Sequence, residues 1–549
     1  MTADSHAQNL ELELQGSNAS ETSTLDSLMV HPRFQDFSSL QTEIDSTLIK
    51  LQKTGYIESE LLKLNKKNDS AFIAYFNLGK KYDNLYIYYS NNDISKDLLK
   101  KISTNVTDDF FAIPISKSEN ALKFLNSELA NDGLPFVTFK IENISKRNDS
   151  ELQGNLVINT TAKRKVNSII VKGYEGFPRS FLKHYLNIRK DQSFNLNEIK
   201  SKTKILNSLP FAKQIKDPEV LFTKDSTSLY LYLEKSKSNT FDGFLGFGNN
   251  ESTNKLEFDG YLNLKLNNNL NYGESFNLLY KSDENEQRTF DVNANLPYLF
   301  NSPLGVNLNL NIFRKDSTFT IVNQTAKLFY QLNRTIKISG GIELTSSENL
   351  LNQEQQSSQV QDYDASFFTA SFEYLDRTSD FLFPIQSYFL VESGLGKRNY
   401  NNFDQDQTTI KFRTNKIFNL NNRNSIYINV NGDIIFSDSF LFNELRRFGG
   451  INSIRGFEEN SLYASLYSVL NTEYRYSINQ SIYVHSIIDG AYYEDDINEI
   501  KEKLFGFGFG LGLMTKAGLF KLNYANGLVE DQPFKFSNSK IHISLNAYF

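Results

Sequence analysis

From about residue 237 to its last residue, apolar and polar side chains alternate one by one along this chain, with no helical interval. Leu256, Phe258, Leu262, Leu264 and Leu266 alternate with Glu257, Asp259, Asn263, Lys265 and Asn267. Val306, Leu308, Leu310 and Ile312 alternate with asparagines, and Ile426, Ile428 and Val430 alternate with Tyr427, Asn429 and Asn431. Successive side chains of a strand point to opposite faces, so each run presents one apolar and one polar face. A soluble sandwich gives the same alternation. A closed membrane barrel is favoured by runs of about ten residues and by Tyr and Phe near strand ends. The chain has 29 Tyr, 45 Phe and no Trp to supply those interfacial positions. The runs number about sixteen, an even count as antiparallel closure requires.

Hydrophobic residues make up 40% of the 549 and the mean hydropathy is -0.43. No stretch approaches the roughly 18 consecutive apolar residues of a membrane-spanning helix, a test that alternating strands escape. A net charge of -6 from 58 basic and 64 acidic residues leaves no basic stripe, so no nucleic-acid partner is expected. There is no cysteine, hence no disulfide framework or thiolate metal site. Met1 is followed by Thr2, Ala3, Asp4 and Ser5 without an apolar segment, so no signal peptide is visible. Under the barrel reading the chain is a mature or re-engineered form. The histidines His6, His31, His184, His485 and His542 are scattered, and no Gly-x-Ser-x-Gly elbow occurs. They read as surface or packing residues. No catalytic residue, metal site or cofactor is expected, and the chain does not read as an enzyme.

Ahead of the barrel, helical and strand signals interleave. Residues 1–28 are polar and aperiodic and read as a disordered leader. The clearest module spans 164–236. It has a strand at Val166 to Val171, a turn at Gly173, helical signal from Arg179 to Leu186, and a second helix from Leu196. Asn195 and Glu198 have capping-box character, and Leu196, Ile199, Thr203 and Leu206 share a face. Two strands close it, the second at Ser228 to Glu234, giving the order β-α-α-β-β. A similar unit at 80–163 has a strand at Leu85 to Tyr89, a helix with the stripe Leu122, Leu125 and Leu129, a stop at Gly133, and strands at Phe136 to Ile144 and Gln153 to Asn159. A truncated copy at 29–79 has a helix around Ile44 to Leu51 and no clear opening strand. The predicted fold is therefore multidomain: tandem α+β modules, then a 16-stranded antiparallel transmembrane β-barrel at 237–549.

The segment Arg447-Phe448-Gly449-Gly450-Ile451-Asn452-Ser453-Ile454-Arg455-Gly456-Phe457-Glu458-Glu459 resembles the signature loop of the BamA and TamA outer-membrane assembly superfamily (bacterial surface antigen barrels), whose core is Val/Ile-Arg-Gly-Phe/Tyr. The modules resemble that family's POTRA domains, and Leu470 to Arg475 its Glu-x-Arg strand. Gly510 to Leu513 with Gly518 to Ala525 resembles its penultimate hairpin. Together with the terminal Phe549 the resemblance covers about 80 to 549.

The resemblance implies that Ile454, Arg455, Gly456 and Phe457 fold into the lumen, where Arg455 pairs with carboxylates on the wall. Strand parity agrees for the partners. Asn471, Glu473 and Arg475 share one face and Leu470, Tyr474 and Tyr476 the other, while Asp489 opposes Val484 and Ile488 in parity. The family reads Phe-x-Asp-x-Gly around that aspartate; here the flanks are Ile487, Ile488, Gly490 and Ala491, so its role carries over less directly. The alternative is that these charges merely face lumen water. Gly506, Gly508, Gly510 and Gly512 alternate with Phe505, Phe507, Phe509, Leu511 and Leu513, leaving room on the inner wall where the loop is expected to lie. Gly243, Gly246 and Gly248 should make the first strand a poor holder of its neighbour. Ile541, Ile543, Leu545, Ala547 and Phe549 form a last strand of outer-membrane type, and the two ends meet at a seam that corresponds to the family's proposed lateral gate.

Those features imply an assembly factor in a Gram-negative outer membrane with its POTRA modules in the periplasm. It would insert outer-membrane proteins or help export them. Its expected partners are the bilayer, unfolded outer-membrane or secreted clients, and periplasmic or lipoprotein accessory subunits. The alternative is a two-partner secretion transporter that passes an unfolded polypeptide through the lumen. Such transporters usually carry two modules and a plug helix, against three modules and no plug-like helix here. A passive pore or receptor is disfavoured by the signature loop.

Overall fold

The computed structural model describes residues 9–548 apart from 29–32, 91–93, 250–255, 283–286, 352–359, 381, 516–517, 531 and 534. The chain divides into two units, one holding the first two modules, the other the third module with the barrel.

The first module starts earlier than expected. Residues 10–28 are ordered: Leu10–Gln15 is a strand and Ala19–Leu28 a helix. Leu12, Leu14 and Leu25 join Leu40, Ile44, Leu51 and Phe76 in one core. The leader reading is thus corrected for these residues, and the module is complete rather than truncated. The signal was short: Leu10, Leu12 and Leu14 alternate with Glu11 and Glu13 over a single strand. The helix Phe37–Lys53 opens on Asp36, whose carboxylate accepts the Ser39 amide at 2.7 Å.

All three modules share one sheet topology. The opening strand runs parallel to the last strand, and the last runs antiparallel to the middle one, which lies at an edge. In the second module Asn84–Tyr88, Glu151–Asn159 and Thr138–Lys146 take these places. In the third they are Ser168–Lys172, Thr227–Lys235 and Ala212–Phe222. There the helical signal at Arg179 to Leu186 folds as a single widened π turn, Phe181–Tyr185. Glu58 of the first module joins the second, its carboxylate taking Lys146 Nζ at 2.6 Å and the Tyr82 hydroxyl at 3.2 Å.

The barrel is closed by sixteen strands, each antiparallel to the next. They are β1 Thr240–Asn249, β2 Leu256–Asn267, β3 Ser275–Ser282, β4 Gln287–Leu296, β5 Leu304–Lys315, β6 Phe319–Gln331, β7 Ile336–Asn349 and β8 Tyr363–Arg377. There follow β9 Ile385–Tyr400, β10 Phe403–Asn419, β11 Asn424–Phe436, β12 Leu466–Ser477, β13 Ile482–Asp495, β14 Ile500–Met514, β15 Gly518–Val529 and β16 Ser539–Tyr548. Burial is inverted relative to a soluble sandwich. Phe368, Leu395, Phe509 and Ile543 are more than 60% exposed, whereas Arg398, Arg455, Glu473 and Asp489 are under 8%. Only a lipid exterior around a polar lumen makes that arrangement favourable.

Closure is uneven. β1 is laddered to β2 along its whole length, from Thr240 opposite Lys265 to Asn249 opposite Leu256. Its glycines leave that ladder unbroken, and a Cβ on Gly243 would meet the Tyr261 carbonyl at 2.4 Å. Toward β16, among the described residues, β1 pairs only through Thr240 opposite Tyr548 and Phe241 opposite Ala547.

The third module docks on the turns at the same end of the barrel. Tyr174 donates to Asn271 Oδ1 at 3.1 Å and accepts from Asn268 Nδ2 at 2.7 Å. The Phe181 ring meets Tyr298 edge-on at 4.9 Å and His184 stacks on it at 5.4 Å.

Candidate functional site in the barrel lumen

Between β11 and β12 the chain folds inward instead of turning back. Arg446–Phe448 pairs with Leu462–Ala464 to make a stem, and the tip between them carries the signature segment. Gly449, Gly450 and Gly456 take φ of 108°, 94° and 94°, values that side chains resist.

The tip lies along one row of the wall. Asn429, Asn471, Asp489, Gly506 and Gly527 stand opposite one another in successive strands β11 to β15. Asn471 Nδ2 donates to the Ser453 carbonyl at 2.7 Å and itself accepts from Asn429 at 2.8 Å. The Arg455 amide and Nε both donate to Asp489 Oδ2, at 3.0 and 2.8 Å, and Nη2 donates to Oδ1 at 2.6 Å. Nη1 reaches Glu473, whose second oxygen takes Arg475 Nε at 2.7 Å. A guanidinium suits this task because its fixed fork meets several acceptors in one plane. Ile454 is fully buried in an apolar cluster with Phe448, Val469, Ala491, Tyr493 and Leu504, against which Phe457 packs.

Of the four glycines on β14, one seats the loop. A Cβ on Gly506 would lie 2.4 Å from the Arg455 carbonyl oxygen. Gly510 instead makes room for the His485 and Asn523 side chains, Gly512 for the Tyr483 ring, and Gly508 approaches the Tyr524 carbonyl. The expected seat across all four is corrected, because wall side chains fill the space. The second seat, missed in the sequence, is Gly527 on β15, where a Cβ would meet the Gly456 carbonyl at 2.6 Å.

A second anchorage on the opposite wall was also missed. Glu444 pairs with Arg398 on β9 and accepts from Gln407 on β10 at 3.0 Å. Asn443 donates to Ser347 on β7 at 2.8 Å, and Arg446 to Asp433 on β11 at 3.0 Å. The Arg447 guanidinium lies 3.7 Å from the Phe313 ring centre on β5. The loop thus crosses the lumen from wall to wall. Beside it a polar cavity of about 450 Å³ is lined by Asp291, Asn309, Asn311, Asn323, Lys411 and Arg413, among others.

At the seam, Gly243, Gly246 and Gly248 lie on β1 opposite Leu262, Asp259 and Glu257, while Ile541, Ile543 and Leu545 on β16 lie opposite Tyr524, Leu522 and Phe520. Phe549 falls outside the described residues. Among the described residues no group of three His, Asp or Glu is placed to hold a metal ion.

No protein-family model matches the chain, and no curated protein matches it in sequence. Solved structures do. BamA from Haemophilus ducreyi lacking POTRA domains 1–3 aligns with a TM-score of 0.52 at 13% identity, covering 84% of this chain and 99% of that one. CdiB from Escherichia coli aligns with a TM-score of 0.52 at 14% identity, covering 95% and 99%. The chain has the fold of the Omp85/TpsB superfamily. CdiB from Acinetobacter baumannii agrees, with a TM-score of 0.51 at 15% identity over 84% and 89%. That fold joins a closed β-barrel to POTRA-like modules. No described helix is long and apolar enough to cross a membrane.

Proposed function

We propose that this Omp85-fold protein exports unfolded polypeptides through its lumen, the periplasmic modules receiving the client and the signature loop serving as the movable plug. The observation that carries this reading is the lumen wall away from the Arg455 anchorage. Asn293 and Asn307 bond each other across β4 and β5, and Asn309 and Asn311 bond Asp291. Such an amide lining hydrogen-bonds an extended backbone without holding any one sequence. Likeness to CdiB over 95% of the chain supports export over insertion, reversing the order in which the sequence motifs rank the two. Each module also offers a client an edge strand with an exposed apolar side chain, Leu62, Ile144 and Ile215, suited to strand addition.

Insertion by lateral opening remains the second reading, favoured by the short ladder between β1 and β16. Phe241→Cys with Ala547→Cys places two thiols on directly opposed residues in a cysteine-free chain, within disulfide range. Export should continue with the seam oxidised. Activity that stops on oxidation and returns on reduction would replace the export reading with insertion.

A further inference from the structure

Among the described residues the ladder between β1 and β16 holds only the end of the seam nearest the third module, Thr240 with Tyr548 and Phe241 with Ala547. The loop reaches the other end. Directly after the signature tetrapeptide, Glu458 pairs with Lys540 on β16 at 2.9 Å, and Glu459 pairs with Lys281 on β3 at 3.8 Å. Lys540 is the second residue of β16 and Lys281 the penultimate residue of β3, so both lie at the barrel end opposite that ladder. The backbone shapes this contact. Gly450 lacks the Cβ that would sit 2.2 Å from the Glu459 carboxylate, and Gly449 lacks the one that would sit 2.5 Å from the Glu458 carbonyl. The paired glycines before the tip and the paired glutamates after it are thus packed on each other.

We infer that Glu459 and Lys281 form a clamp across the seam, on the lumen side, and that Glu458 and Lys540 fix the clamp to β16. The geometry makes the two bonds unequal. Arg455 fastens the tip to β12 and β13, Gly506 and Gly527 seat it on β14 and β15, and Glu458 extends that hold to β16, all on one side of the seam. Glu459 alone of these reaches β3 on the other side. When β16 leaves β1, the tip moves with β16, and the Glu459–Lys281 pair is the one that breaks. Loop position and seam closure are therefore coupled: the seated loop clamps the loosely laddered end, and a withdrawn loop releases it. Both residues are positioning groups. The clamp is a property of the closed barrel and holds whichever path clients take.

The test measures the seam directly. Spin labels at Tyr280→Cys on β3 and Ile541→Cys on β16 report the distance across it in the full chain in lipid nanodiscs. A partly exposed pair of this kind contributes little, so Glu459→Gln should raise the long-distance population roughly two- to fivefold. High salt should do the same to the parent. The exchange Glu459→Lys with Lys281→Glu should restore the parent distribution, while Glu459→Gln leaves hydrogen exchange at the Arg455 amide unchanged. An unaltered distribution in Glu459→Gln overturns the clamp, as does a charge exchange that fails to restore it. Loss of Arg455 protection in Glu459→Gln would also overturn it, since the loop itself would then have moved. Because no client is present, these outcomes are separate from those of the export assay.

Discussion

Arg455 gives Asp489 three hydrogen bonds, one from its backbone amide and two from its guanidinium, so one carboxylate fixes both the main chain and the side chain of the loop tip. Glu473 takes only one Arg455 nitrogen and keeps Arg475 when that is lost. Removing Asp489 should therefore cost more than removing Glu473. Breaking a buried pair from one side costs about 3 to 5 kcal/mol, less where lumen water enters. Heat-modifiable gel migration should fall to lower temperature in the order Asp489→Ala, then Arg455→Lys, then Glu473→Gln. Equal shifts for Asp489→Ala and Glu473→Gln would sink the assignment of Asp489 as the main anchor.

The glycine seats give a second contrast. A Cβ at position 527 meets the Gly456 carbonyl and the Phe457 ring, at 2.6 and 2.9 Å, and backbone cannot step aside cheaply. One at position 510 meets the ends of His485 and Asn523, which can swing away. Gly527→Ala should destabilise the latched loop by about 1 to 3 kcal/mol, read as faster exchange of the Arg455 amide. Gly510→Ala should leave that amide protected.

The contrast also shows what was legible in the sequence. Strand parity assigned Glu473 and Asp489 to the lumen because a period of two leaves no freedom once one face is apolar. It could not find Gly527, since β15 has no second glycine of the same parity to mark it. Arg398 and Glu444 were hidden for another reason: they lie 46 positions apart, and only barrel closure brings β9 to the loop. The strand Leu10–Gln15 was lost among polar neighbours because six residues give too few repeats to stand out. The resemblance of Ile454 to Phe457 located the loop tip, while its crossing to the far wall follows from contacts outside that motif.

Docking of the third module rests on Tyr298, which holds φ of 56° in the turn after β4 and takes both Phe181 and His184. Tyr298→Ala removes both ring contacts, and aromatic pairs contribute about 0.5 to 1.5 kcal/mol each beyond burial. Hydrogen exchange of residues 181–188 should accelerate while the barrel strands stay protected. Unchanged exchange there would mean that Tyr174 with Asn268 and Asn271 suffices to hold the module.

The junction of the first two modules should respond to acid. The hydrogen bond from Lys146, and after it the one from Tyr82, hold the Glu58 carboxyl below its usual 4.5. A depressed carboxyl pKa adds stability above the unfolded value, and this is lost as pH falls through the folded value. The contact should persist at pH 7 and 5 and loosen only as pH falls below the ordinary carboxyl range. Fluorescent dyes on one introduced cysteine per module would follow it by energy transfer. Glu58→Gln should show the loosened signal at neutral pH and little change on acidification; a parent-like acid transition in that variant would rule out Glu58 as the responsive group.

The last prediction concerns the two ends of the loop. The tip is held on β12 and β13 through Arg455, and the base of the stem on β7, β9, β10 and β11 through Asn443, Glu444 and Arg446. Cutting either anchorage leaves the loop hinged on the other, still across the lumen. Cutting both frees it to leave. Arg455→Ala and Glu444→Ala should each raise single-channel conductance in planar bilayers only slightly, whereas the double variant should raise it well beyond the sum of the two. Two anchorages acting on one rigid obstacle predict this excess, because couplings through a shared element are not additive. A double variant whose conductance equals the sum of the single changes would mean that the ends move independently. In that case the loop is not a strap across the lumen, and export would not require both anchorages to be released.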